Sequence, residues 1–169
     1  GDILVNKKLA NVYKSIAKDG IDVFYQGWLA EKIVERVQNS IIAPGLLTMK
    51  DMASYQVVER EPVCGPYRDY TLCGMAPPSS GGISVIQILG QLQRFDMGKY
   101  QPNDADALHL YTQSSRLAFA DRNKYVADAD FVNVPTHGLV DAKYLSKRSN
   151  LIKLYKDIGR AISGFPEGS

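Results

Sequence analysis

Pro77-Pro78-Ser79-Ser80-Gly81-Gly82 decides how this chain folds, because it joins a strand-like run, Tyr70 to Ala76, to an apolar helical run, Ile83 to Phe95. The prolines cannot continue a strand ladder, and serines are good helix caps. The glycines let backbone or ligand approach closely, and the first free N–H groups of the helix can hold an anion. A serine here could also act as a nucleophile with a histidine as base. No nucleophile-elbow pattern surrounds it, and nothing places His109 or His137 beside it. Ser79 and Ser80 therefore read as helix caps.

Upstream of the junction the spacing predicts a hairpin. If Arg68-Asp69 is its two-residue turn, Tyr67 faces Tyr70, and counting outward sets Cys64 opposite Cys73. Pairs alternate from a hydrogen-bonded closing pair, so the cysteines fall on a non-hydrogen-bonded pair, the closer kind, within reach of a disulfide. Pro62 and Pro66 also take non-bonded positions, where a missing N–H costs the ladder nothing but marks an edge strand. The two sulfurs read as a disulfide in an oxidising compartment and as reduced, half-buried thiols in a reducing one. Without a second Cys pair or a His pair, no metal site is expected.

Helical spacing flanks this small sheet portion on both sides. Leu9, Val12, Tyr13, Ile16 and Ala17 predict a first helix over residues 7–19, closed by Asp19-Gly20. Asp22 is the expected cap of a second helix running through Trp28, Ile33 and Val37. Thr48 and Asp51 have the spacing of a capping box for a short helix. Gln56 to Pro62 reads as a further strand. After the junction, few polar residues interrupt Ile83 to Phe95, so that helix is expected to be deeply buried. Asn103-Asp104 are positioned to cap a long helix through Leu108, Ala118 and Arg122, and a last amphipathic run extends from Asp141 to about Lys156. The glycine-containing tail from Ser163 to Ser169 is expected to be poorly anchored, since little apolar surface remains to hold it.

Composition narrows the function classes. The 169 residues suffice for one domain with a sizeable core. A formal net charge of +2, with basic residues scattered among acidic ones, gives no stripe suited to nucleic acid. No apolar run approaches the roughly 20 residues that span a bilayer. The chain begins at Gly1 rather than Met, which leaves open a signal peptide removed earlier. No internal repeat, low-complexity segment or marker of a second domain stands out.

The remaining polar residues have ordinary roles available. His109 reads as a hydrogen-bonded packing residue in the long helix and His137 as an exposed loop residue. Asp121 and Arg122 adjoin on a helix and point in different directions, so each needs its own partner; for Arg122 these are Asp128 or Asp130, or solvent. Asp128 and Asp130 lack the further oxygen ligands and glycine of a calcium loop.

Taken in order, Glu61-Pro62-Val63-Cys64-Gly65-Pro66-Tyr67-Arg68-Asp69-Tyr70, the Pro-Pro-Ser-Ser-Gly-Gly junction, Phe95-Asp96-Met97, Arg116-Leu117-Ala118-Phe119-Ala120-Asp121-Arg122 and Asp128-Ala129-Asp130-Phe131 resemble the gamma-glutamyltranspeptidase family. The likeness runs from Gly1-Asp2 to Lys143-Tyr144 and beyond. It implies an α+β fold: the helix-rich part of an N-terminal-nucleophile αββα sandwich, with one antiparallel hairpin or small sheet in this segment. It also implies that residues 1–169 form a single segment, the C-terminal part of the large subunit of a self-cleaving, heterodimeric enzyme. The implied partners are the remainder of the large subunit, a small subunit whose N-terminal threonine is the nucleophile, and glutathione or another gamma-glutamyl donor. No catalytic residue, metal or cofactor is assigned to this chain, Ser169 is expected within a few residues of the self-cleavage junction, and the location implied is periplasmic or extracellular. A cephalosporin or glutaryl acylase shares this architecture, and a catalytically silent interaction module is the reading from another class. The chain departs from the family in having alanines at 127 and 129, where Gly and Pro are usual, and Thr112 and Gln113 where many members have a glutamate.

Overall fold

The computed structural model describes residues 1–169, which divide into two compact units, Gly1–Val58 and Glu59–Ser169. No glycine- or proline-rich linker marks that boundary. It falls inside the stretch from Gln56 to Pro62 that reads from sequence as a strand.

The first unit is helical. Helix α1 (Lys7–Asp19) starts where the Asn6 side chain accepts a hydrogen bond from the Leu9 N–H at 3.0 Å, and ends at Gly20, whose φ of 81° few other residues adopt. The expected second helix is broken into α2 (Asp22–Tyr25) and α3 (Trp28–Gln38). Gly27 turns out of helical geometry with ψ −163°, and its backbone lies directly against that of Val23. Ile21, not Asp22, takes the capping position, and it makes no side-chain cap. Before α4 (Met49–Ser54) the capping box forms in full, with Thr48 Oγ1 accepting from the Asp51 N–H and the Asp51 carboxylate accepting from the Thr48 N–H. Those bonds hold the Asp51 carboxyl below the usual carboxylate range. Tyr25 stacks on Tyr55 with ring centroids 5.7 Å apart. Val23, Ala30 and Val34 are buried in this unit, while Ile3, Leu4, Ile41, Ile42 and Leu46 stand open to solvent.

The second unit is built around one helix. Strands β1 (Val63–Tyr67) and β2 (Tyr70–Gly74) form an antiparallel hairpin in the register Tyr67 to Tyr70 and Cys64 to Cys73, with Arg68 at φ 53° in the turn. Residues 56–62 stay irregular because β2 ends at Gly74 and no third strand lies beside β1. Val63 and Gly65 face inward against α5 (Gly81–Leu92), whereas Cys64 and Cys73 are exposed on the outer face, joined by a disulfide with Cα atoms 4.1 Å apart. The helix α5 is central: α6 (Ala105–Tyr125), α7 (Thr136–Val140), α8 (Ala142–Ser149) and the hairpin all pack on it.

Two apolar clusters share α5. Ile83 and Ile86 join Val63, Leu139, Tyr144 and Leu145, while Ile88 and Leu92 join Leu110, Leu117, Ala118 and Ile152. Each of the Val, Leu and Ile side chains among them contributes about 1.5–3 kcal/mol when fully buried. The last helical run is shorter than its sequence pattern. It stops at Ser149, after which the chain turns to bury Ile152, and the Arg94 guanidinium donates to the freed carbonyls of Ser149 and Ile152.

Where β2 passes into α5 the backbones touch. A Cβ on Gly82 would lie 2.7 Å from the Met75 carbonyl oxygen and 2.8 Å from the Gly74 carbonyl carbon. Backbone cannot yield as a side-chain tip can, so Gly82→Ala is expected to destabilise the protein by about 1–3 kcal/mol. Chemical denaturation checks this, and a midpoint equal to wild type would contradict the close approach.

Candidate functional site

Asp121 lies in the penultimate turn of α6 and is completely buried. Its position on the helix turns it inward while Arg122, the next residue, points away to Ser80 Oγ and Asn123 Oδ1. Oδ2 of Asp121 accepts from the Tyr144 hydroxyl at 2.8 Å and from Gln87 Nε2 at 3.3 Å. Oδ1 accepts from the Gly164 backbone N–H at 2.8 Å and lies 3.1 Å from Arg148 Nη2. One carboxylate thus ties α5, α6, α8 and the C-terminal segment together.

The charges are matched within the same enclosure. Arg148 is 5 % exposed, and besides Asp121 its Nη2 donates to the carbonyls of Leu117 and Ile162. A buried pair of this kind is close to neutral for stability against apolar side chains of the same shape, but removing one partner strands the other and costs about 3–5 kcal/mol. Burial, reinforced by the hydrogen bond to Asp121, raises the Tyr144 hydroxyl well above the ordinary tyrosine value.

The tail is not loose. Gly164 has no room for a side chain, since a Cβ would run into the Tyr144 hydroxyl, and its carbonyl accepts from Tyr125 Oη at 2.7 Å. Pro166 is buried, Glu167 passes over Gly138 so closely that a Cβ there would overlap its backbone, and Asn133 Nδ2 donates to the Gly168 carbonyl. The tail's glycines, proline and sparse apolar side chains predict a loose segment, but such features say nothing of backbone hydrogen bonds. The anchors are backbone groups, and their partners come from elements distant in sequence.

The serines of the junction are not side-chain caps in the expected way. Ser80 sits at the capping position of α5, but at φ −89° and ψ −9° its backbone is already helical, and its side chain makes no capping bond. Ser79 Oγ accepts from the Gly81 N–H at 3.3 Å. Asp104 likewise precedes α6 without capping it, its carboxylate turned back to the Gln101 N–H. His109 bonds through Nε2 to the Lys153 carbonyl at 2.8 Å, and His137 is exposed on α7. Neither is brought to the serines by any hydrogen bond.

The acidic turn after α6 and the polar middle of α6 have plain structural roles. Asp128 closes its own turn by accepting from the Asp130 N–H at 3.0 Å, and Asp130 pairs with Arg60, so Arg122 gains neither carboxylate. Gln113 is buried and binds the 157–158 segment at both ends of its amide, donating to Asp157 Oδ2 and accepting from the Ile158 N–H. That bond, with the Gly159 N–H and Arg116, holds the Asp157 carboxyl below its usual range. No cluster of metal-binding side chains exists, and no helix is long and apolar enough to cross a membrane.

Comparison with solved structures defines the class first. A gamma-glutamyltranspeptidase from Helicobacter pylori matches the whole of this chain and 48 % of its own, with 35 % identity and a TM-score of 0.77. A cephalosporin acylase from Bacillus halodurans matches 85 % of this chain and 26 % of its own, at 27 % identity and a TM-score of 0.67. The segment is thus a helix-rich part of the N-terminal-nucleophile architecture, α+β with a single antiparallel hairpin. The gamma-glutamyltranspeptidase family model matches residues 1–163, and the chain belongs to that family. Among curated relatives, the glutathione hydrolase proenzyme of Escherichia coli K12 is 42 % identical over 156 residues, covering 92 % of this chain and 26 % of the relative. The acylase ACY 1 proenzyme of Pseudomonas sp. SE83 is 36 % identical over 151 residues, covering 89 % and 26 %. The chain therefore spans about a quarter of the length of the curated relatives it matches.

The Tyr144 hydroxyl gives the hub a measurable signature. Its folded-state pKa is raised, so the stability it contributes is present below the unfolded tyrosine value of about 10 and is lost as the pH rises above it. Tyr144→Phe is expected to lower stability at neutral pH by about 1–3 kcal/mol, since Asp121 loses a donor. The variant should also flatten the alkaline fall in Tm. An alkaline limb as steep as that of wild type would place the titration elsewhere.

Proposed function

We propose that residues 1–169 are one segment, the C-terminal part of the large subunit of a two-chain gamma-glutamyltranspeptidase, or glutathione hydrolase. The observation that carries this reading is the family match over residues 1–163. The nearly full exposure of Ile3, Leu4, Ile41, Ile42 and Leu46 in the first unit fits a segment that packs on further polypeptide. The rest of the large subunit and a small subunit are the partners that fit.

In this reading the nucleophile is the threonine that becomes the N-terminus of the small subunit. During maturation its hydroxyl adds to the carbonyl of the preceding peptide bond. The C–N bond breaks, leaving an ester and a free amine, and water then hydrolyses the ester to a carboxylate and restores the hydroxyl. The new amino group serves as base when the same hydroxyl attacks the gamma-glutamyl carbonyl of glutathione or a related amide. The leaving amine takes the proton, and the acyl-enzyme passes its glutamyl group to water, an amino acid or a peptide. No cofactor takes part, and no residue of this chain touches the reacting atoms. Ser169 stands within a few residues of the cut, and the mature enzyme is periplasmic or extracellular.

The acylase relative from Pseudomonas and the cephalosporin acylase structure from Bacillus halodurans support a second reading, in which the same scaffold serves a cephalosporin or glutaryl acylase. Both readings put the substrate-selecting residues outside this chain.

The test is expression of the full-length precursor, followed by N-terminal sequencing of the fragments and assay with a gamma-glutamyl anilide and a glutaryl amide. A small fragment beginning with threonine and turnover of the anilide are expected, while the isolated 169-residue chain should be inactive. Turnover of only the glutaryl amide would select the acylase. A precursor that stays uncut and inert would replace both readings with a silent interaction module.

A further inference from the structure

The C-terminal segment is held in two unlike ways. From residue 162 to 164 it is gripped by groups that are themselves buried or half-buried. Arg148 Nη2 donates to the Ile162 carbonyl at 2.8 Å, Asp121 accepts from the Gly164 N–H at 2.8 Å, and Tyr125 donates to the Gly164 carbonyl at 2.7 Å. The Ile162 side chain is exposed and Gly164 is half-buried, so the grip is on their backbone; beyond them Pro166 is buried, Phe165 is 84 % exposed, and Glu167 to Ser169 lie at the surface. The tip is held by an exposed hydrogen bond from Asn133 to Gly168 and by the fit of Glu167 over Gly138.

Water competes freely for the exposed bond of the tip and less well for the three part-buried bonds of the root, two of whose side-chain partners, Asp121 and Arg148, are buried. The root is therefore the fixed point and the tip the releasable part. A reaction between a threonine hydroxyl and a carbonyl on the same chain depends steeply on how the carbonyl is presented, and a displacement of about 1 Å can cost a hundredfold in rate. In the two-chain reading the tip must afterwards leave the reacting centre so that substrate can take its place.

We propose that Asp121, Arg148 and Tyr125 form a clamp on residues 162–164 that positions the pre-cleavage tail for self-cleavage and remains closed when the tip swings out afterwards. The three are positioning residues acting through the backbone of Ile162 and Gly164. This rests on the two-chain reading, because it requires a cut downstream of the clamp.

The test uses the full-length precursor and two variants that disturb the root by different means. Gly164→Ala forces a methyl group against the Tyr144 hydroxyl and shifts the root. Tyr125→Phe deletes one hydrogen bond and keeps the ring. Readouts are the rate of precursor loss, the Tm, and turnover of a gamma-glutamyl anilide per molecule already cleaved. Gly164→Ala is expected to slow self-cleavage by about tenfold or more, and Tyr125→Phe by less in the same direction. Turnover per cleaved molecule should stay at the wild-type value in both. If Gly164→Ala does not fold, Tyr125→Phe alone decides. Wild-type maturation rates in the folded variants would overturn the clamp, as would a loss of turnover in proportion to the slowed cleavage. A wild-type precursor that never cleaves would sink the two-chain reading and the clamp with it, whereas a cleaving wild type with indifferent variants sinks the clamp alone.

Discussion

A carboxylate withdrawn completely from water is tolerated only if its charge and lone pairs are met by other groups. At Asp121 they are met by Gln87 of α5, by Tyr144 and Arg148 of α8, and by the Gly164 N–H. None of these lies within 20 residues of Asp121 in sequence, so the hub cannot be satisfied until the second unit has assembled. The arrangement makes the end of α6, the start of α8 and the C-terminal segment depend on one another.

Around that polar centre the apolar packing is conventional. The central helix α5 supplies Ile83 and Ile86 to one cluster and Ile88 and Leu92 to the other, and its polar residues Gln87 and Gln91 lie between. Gly82 lets the helix start in contact with the end of β2, and the hairpin covers its first turns. The disulfide lies on the outer face of the hairpin, away from this core, so it staples the two strands without taking part in the packing beneath. The first unit differs: it buries Val23, Ala30 and Val34 but leaves many of its apolar side chains, Ile3, Leu4, Ile41, Ile42 and Leu46 among them, in solvent.

Family membership and geometry bear on different parts of the functional question. The match to gamma-glutamyltranspeptidases concerns the scaffold, and the chemistry proposed for it lies with a threonine outside these residues. What the geometry contributes is the environment of the C-terminal segment, with a part-buried root tied to buried side chains and an exposed tip. Gln113 bonds Asp157 and Ile158 and so fixes the chain shortly before that root.

The sequence by itself determined the features that depend on near neighbours. The first helix, the Thr48–Asp51 capping box and the hairpin register that faces Cys64 with Cys73 all follow from residue types at short spacings. The order of motifs was enough to place the chain in its family. Tertiary structure decided what short spacings cannot express. The segment 56–62 has the composition of a strand but no partner, the run after Ser149 turns inward to bury Ile152, and Ser80 enters α5 already helical and so does not cap it. Above all, Asp121 reads as one of several charges on a helix, and the tail reads as loose. Only packing reveals that they hold each other, because a backbone N–H has no side-chain signature and its partner lies 43 residues away.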